Sequence, residues 1–430
     1  MFLKKIYKNG TVAMFSETES RLNAPEKEAR LKALKDIAKN EDKPLINPRI
    51  ANNHIHTFYS FSPYSPALAA YKAHRSGLET MGIMDHDSVA GAREFLQACE
   101  ILGTHATVGF ETRVHIDKNY GRINNPDQDN HMYMAVHGIP HQNLDAFDDY
   151  LSFFRARRNV RNRQMVEKIN KKFSPLGIKL DFDRDVFPIS KAAEGGSITE
   201  RHLLYALAQK IYEKSETGEA VIEFVEGKLG IRVSGKIKGY LSDEANPYKL
   251  YDLLGVLKSD TSFFYIPATD ESPALEDLVD VAKCMGAIVA YPYLGDVEES
   301  VTGDKRAQKF EDAYLDDLFE TLKKARVDAI AYMPSRNTEA QLERVQKLCK
   351  KFGFFEISGE DINSPRQKFV CPMLENPRYS HLVESTWALI GHEKCATKNL
   401  YDGMFTSRTA KRFPDLDYRI KVFAEIGRNF

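Results

Sequence analysis

The stretch HIHTFYSFSPYSP, residues 54–66, sets two histidines two apart and follows them with a polar, aromatic loop. In a β-strand, residues i and i+2 point to the same face, so His54 and His56 can converge on one point in space. An HxH pair is common by chance, and its weight comes from its surroundings. RIANNHIH (49–56) reads as a strand, and SPALAAYKAHRSG (65–77) as a helix stopped by Gly77. A strand that ends in polar residues and hands over to a helix is the βα unit of a parallel sheet.

The unit recurs outward from there. TMGIMDHD (80–87) is a strand, and SVAGAREFLQACEILG (88–103) the next helix with Ser88 as its cap. ATVGFETRVHI (106–116) and NHMYMAVHGI (130–139) are further strands. Residues 144–245 show helical spacing without a strong strand, which predicts a small helical insertion. The βα texture resumes with TDESPALEDLVDVAKCMG (269–286), a helix opened by Ser272 and Pro273, then the strand AIVAYP (287–292). AYLDDLFETLKKARV (313–327) and NTEAQLERVQKLCKKFG (337–353) are helices, and DAIAYMP (328–334) and FFEISGEDIN (354–363) are strands. The organisation expected is a helical extension over 1–45, an α/β domain over 46–143 and 246–372 interrupted by the insertion, and a C-terminal extension over 373–430. The role of that extension is not legible in its residues.

Composition bounds the function. Over 430 residues, 60 Lys and Arg nearly cancel 61 Asp and Glu, so no overall field draws nucleic acid or an anionic membrane. No apolar run approaches a membrane span, and MFLKKIYKNGTVAMF (1–15) lacks the apolar centre of a signal peptide. The five cysteines, 99, 284, 349, 371 and 395, are scattered without a CxxC pair and read as reduced thiols of a cytoplasmic protein. No P-loop, GxGxxG or GxSxG element is present.

Polar residues gather where strands end. His54 and His56 close the first strand, and Asp85, His86 and Asp87 the second. Glu111 lies in the third, His131 begins the fourth, and Asp361 and Asn363 end the last. In barrels of parallel strands the side chains at that edge share one bowl. Imidazoles and carboxylates from several strands are the donors that Zn, Mn or Fe requires. An acid such as Glu111 is costly to bury unless it is paired or metal-bound.

These pieces together resemble the PHP domain family, named for polymerase and histidinol phosphatase. The matching elements are HIHT (54–57), GIMDHDSVAG (82–91), VGFE (108–111), His131, AIVAYP (287–292) and SGEDIN (358–363). RNVRNRQMVEKINKKFSPLGI and ITERHLLYALAQ are similar to a subgroup with a helical insertion. The resemblance covers about residues 49–370. It implies a distorted (β/α)7 TIM-like barrel and one to two divalent metal ions. It also implies hydrolysis of a phosphate ester on a small molecule; the neutral charge balance argues against nucleic acid or a membrane as partner. It implies His54, His56, Glu111 and Asp361 as ligands of one metal, Glu111 and His131 as ligands of a second, and His86 as the remnant of a third. Phe61, Tyr291 and Asn363 stand where the family carries other residues, so Tyr291 and Asn363 are replacement ligands at best. Those three departures also motivate an alternative: a degenerate fold that binds a ligand or regulates a partner without turnover.

Roles follow from chemistry. Glu111 and Asp361 would hold the ion that activates water, and His86 would protonate the leaving group. The arginines at 155, 157, 158, 161 and 163 read by default as a solvated helix face; the other reading turns one or two toward the bowl, with Arg161 the one expected to grip a phosphate with its forked guanidinium. Arg201 and His202 of ITERHLL match the family's Arg-x-His-like element, which implies substrate contact; Arg366, five residues after Asp361, could reach the same anion, and His115, four residues after Glu111, is a reserve ligand.

Overall fold

A computed structural model describes residues 14–297 and 307–429; most of the N-terminal stretch weighed as a signal peptide (1–13) lies outside them. Seven strands form one sheet in chain order: β1 (Ala51–Ile55), β2 (Thr80–His86), β3 (His105–His115), β4 (His131–His137), β5 (Ile288–Tyr293), β6 (Ala329–Tyr332) and β7 (Phe355–Ser358). All neighbours are parallel except at β4, which runs antiparallel to both β3 and β5. The sheet curls until the chain just beyond β7 meets β1. There the His56 amide donates to the Ile362 carbonyl at 3.0 Å, and the Ile362 amide donates to the His54 carbonyl at 3.1 Å. The result is a nearly closed, distorted barrel.

Alternation sorts each strand into two faces. One face carries Met81, Ile83, Val108, Phe110, Val289, Tyr291 and Ile330, all buried against the surrounding helices. The other carries Met84, Ala135, Ile288, Ala290, Ala329, Ala331, Phe355 and Ile357. This interior row is small because a helix fills the space. Helix Ser380–Lys398, from the C-terminal extension, packs Val383, Trp387, Ala388 and Leu389 against it. Asn53 of β1 donates to Thr386 at 2.8 Å, and Glu393 accepts from Thr107 and from the Val108 amide of β3. The extension therefore floors the barrel at the strands' N-terminal ends. A second helix, Leu416–Arg428, crosses beneath at backbone contact: a Cβ on Gly391 would fall 1.9 Å from the Phe423 carbonyl oxygen, and one on Gly427 2.1 Å from that of Trp387.

The chain between β4 and β5 is helical, without a strand among the described residues. It opens with the long helix Leu144–Phe173 and includes Glu200–Ser215, Gly218–Leu229 and Lys249–Lys258. It has its own apolar core, from Met165 to Phe264, into which the barrel loop inserts Phe61. The Phe61 ring meets His202 edge-on at 4.9 Å, and its backbone takes φ 89°, a conformation that ordinarily costs a non-glycine residue about 1–3 kcal/mol. Two expected helix starts move. The helix expected from Ser88 begins at Ala92, and Ser88 instead donates to the Gly195 carbonyl of the insertion. The helix expected from Ser272–Pro273 begins at Leu275, behind Ala274. The cysteines are all free thiols. Among the described residues no helix is long and apolar enough to cross a membrane.

Candidate metal centre

At the C-terminal mouth of the barrel, β1, β2, β3 and the chain after β7 bring five donors together. Glu111 Oε2 stands 3.5 Å from His54 Nε2, 4.0 Å from His56 Nε2 and 3.2 Å from His86 Nδ1. His56 Nε2 lies 3.3 Å from Asp361 Oδ1. Two overlapping groups have ligand atoms mutually within 4.8 Å: His54, His56 and Asp361, and His56, His86 and Glu111. Gly359 permits the approach of the last strand's exit, since a Cβ there would lie 2.7 Å from that of His54.

The electrostatics are mutually supporting. Burial resists the charge on Asp361, yet His56, His54 and Arg201 hold its carboxyl well below the usual range. Burial likewise opposes a proton on His54, but Glu111 and Asp361 outweigh it and raise its basicity. Burial, with His56 and Arg158 nearby, pushes His86 well below an ordinary histidine. A neutral imidazole is a ligand nitrogen, so His86 fits the cluster better as a donor atom than as the acid expected for the leaving group. The donor set of nitrogen and carboxylate oxygen suits Zn, Mn or Fe. One buried donor is bare: His56 Nε2 has no hydrogen-bond partner.

His131 is not in this cluster. Because β4 is antiparallel, the register sets Ala135 opposite Glu111 and His131 opposite His115. That is four residues farther along, roughly 13 Å at strand rise. Its ring meets Gln128 and the Asp129 carbonyl instead. His115 is occupied by the Ser272 carbonyl at 3.0 Å. Tyr291 is also absent from the cluster. Its neighbour Ala290 takes the interior face, which turns the phenol outward into the core shared with the helices, fully buried. Asn363 does reach the site, but as an outer partner: its amide donates to Asp361 Oδ1 at 2.5 Å, and its oxygen accepts from Arg201.

The expected substrate contacts separate. Arg201 faces the cluster through Asn363. Arg161 does not: its donors go to Glu271 at 2.6 and 2.7 Å, Glu200 at 2.7 Å and the Ile266 carbonyl at 2.8 Å. A guanidinium so engaged has no edge left for a phosphate. Arg366 is held in a two-pronged pair with Asp252 and lies 3.9 Å over the Tyr240 ring. His202 is buried and caps its own helix, accepting the Thr199 amide at 3.0 Å, and burial lowers its pKa to about 3.

Further residues surround the mouth, of which only Arg158 stands among the arginines read from the sequence. Arg113 follows Glu111 by two, hence on the same face, and pairs with Glu200 at 2.8 Å and Glu271 at 3.2 Å. Arg158 bridges from the long helix to Asp87 at 2.5 Å and Glu271 at 3.3 Å. The Tyr133 ring stands 5.6 Å from that of His86. Period-two spacing from Glu111 could have found Arg113. Glu200 and Glu271 belong to other elements, and only the fold unites them.

Residues 52–187 match the family model of the PHP domain. No curated protein matches. A crystal structure from Bifidobacterium adolescentis, provisionally assigned as a metal-dependent phosphoesterase, shares 19% identity at a TM-score of 0.50, over 77% of this chain and 95% of its own. A structure from Chromobacterium violaceum, described as an amidohydrolase with bound sulfate and no metal, shares 16% identity at a TM-score of 0.49, over 77% and 95%. At such identities the first speaks for the fold alone and the second carries no argument. The family match spans the strands that deliver His54, His56, His86 and Glu111, so this part of the chain is similar to a PHP domain.

Proposed function

We propose that the protein is a metal-dependent phosphoesterase acting on a phosphate ester of a small molecule, of the nucleotide or sugar phosphate type. The observation that carries this reading is the convergence of His54, His56, His86, Glu111 and Asp361 from chain-distant strands at the barrel mouth. These residues would hold one or two divalent ions, with His86 taking the place expected of His131. Such an ion, when bound, lowers the pKa of a coordinated water and polarises a phosphoryl oxygen. Arg201 supplies positive charge beside Asp361 for the anionic ester. The paired Arg113, Arg158 and Arg161 brace the wall between barrel and insertion.

Elemental analysis of protein purified without added metal, followed by phosphate release from a panel of small phosphoesters, tests the reading. One to two ions per chain and metal-dependent release are expected, with release abolished in Glu111→Ala and Asp361→Ala. Release that survives both substitutions refutes the site. A second reading, a binding module without turnover, draws support from Asn363, whose amide occupies an Asp361 oxygen. Full metal loading with no turnover on any ester favours it.

A further inference from the structure

The geometry points to Asp85 and Ser60 as positioning residues that fix the tautomer of His56 and so aim its bare nitrogen at a cation. Asp85, on β2, is buried, and three donors converge on its carboxylate: the Thr57 amide at 2.7 Å, the Thr57 hydroxyl at 2.6 Å and the Ser60 hydroxyl at 2.6 Å. A carboxylate only accepts, so the Ser60 proton is committed to Asp85. The Ser60 oxygen is then left as an acceptor, and what it faces, at 3.2 Å, is His56 Nδ1. The proton of the neutral imidazole must therefore sit on Nδ1, which leaves the Nε2 lone pair exposed. That nitrogen stands 3.3 Å from Asp361 Oδ1 and 4.0 Å from Glu111 Oε2. Three electron-rich atoms so close call for positive charge among them, supplied by a bound cation or, in its absence, by a second proton on His56.

The relay thus converts a buried aspartate outside the donor cluster into a device that presets a ligand. It also separates the two acids flanking His86. Asp85 turns to the loop after β1, whereas Asp87 turns to Thr112 and Arg158. Outer partners of this kind typically change metal affinity 10–100-fold when removed.

This inference rests on the metal-centre reading, and its test separates the two. In metal-free protein labelled with 15N-histidine, at a pH above the histidine range, His56 is expected to show a protonated Nδ1 and an unprotonated Nε2. Ser60→Ala should mix the tautomers and weaken zinc binding, measured by chelator competition, about 10–100-fold. Asp85→Asn should do the same, and Ser60→Thr should restore both properties. Wild-type protein with the expected tautomer but no zinc binding supports the relay while sinking the metal reading. The opposite tautomer in the wild type overturns the relay, as does a Ser60→Ala protein whose tautomer and zinc affinity both match the wild type.

Discussion

The Glu393 carboxylate ties the C-terminal extension to the barrel, and its removal should be the most informative stability change in the molecule. It is 2% exposed and accepts from the Val108 amide at 2.7 Å, the Thr107 hydroxyl at 2.8 Å and His141 Nε2 at 2.8 Å. Val108 has no strand neighbour to take its amide, so Glu393→Ala strands a buried donor, at about 1–3 kcal/mol, beside the loss of two further bonds. Because His141 is largely solvated, the stranded amide dominates, and a loss of about 1–3 kcal/mol is expected. The His141 share depends on pH. Its imidazole is raised above the ordinary value chiefly by the hydrogen bond to Glu393, against the opposing pull of burial. A group raised on folding contributes stability that is complete below its unfolded pKa, about 6.5, and fades as pH climbs through the folded one. Urea unfolding of the wild type, Glu393→Ala, His141→Ala and the double variant at pH 6 and pH 8.5 measures this. The His141 ring is 40% exposed, so a coupling of about 0.2–1 kcal/mol is expected at pH 6, shrinking at pH 8.5. A Glu393→Ala loss below about 1 kcal/mol, or a coupling that grows with pH, refutes the reasoning.

Other outcomes follow from particular contacts. Gly391→Leu should part the two helices beneath the barrel, costing at least the 1–3 kcal/mol typical of overpacking, read as a lower thermal midpoint. Arg201→Ala should raise KM for a phosphoester without shifting the midpoint, whereas Arg366→Ala should lower the midpoint and leave KM alone; the reverse pattern would show the two roles exchanged. His202→Ala should lose about 0.5–2 kcal/mol of stability, as for a missing helix cap, with metal content unchanged by elemental analysis.

The barrel was legible because its signals are local. Most of the seven strands contain a short apolar run with a helix or loop signal beside it, and period-two spacing paired His54 with His56 without help from the fold. The antiparallel turn of β4 was not legible. NHMYMAVHGI reads the same in either direction, and the direction alone decides whether His131 or Ala135 stands beside Glu111. Tyr291 failed for a related reason: in AIVAYP every residue is apolar enough to face either way, so alternation gave no purchase. The arginines were visible as a cluster, but which of them are free depends on Glu200 and Glu271, 39 and 110 residues from Arg161. The extension's purpose was hidden because its partner is an absence of bulk, the row of alanines inside the strands.

That borrowed floor has a bearing on how the molecule is made. The side chain of Asn53 finds its partner 333 residues downstream, at Thr386. A nascent chain therefore holds its seven strands with an unplugged interior until the helix Ser380–Lys398 has left the ribosome. Contacts of such span slow folding and lengthen the exposure of sticky intermediates, so chaperone demand should be greatest before that helix has been made.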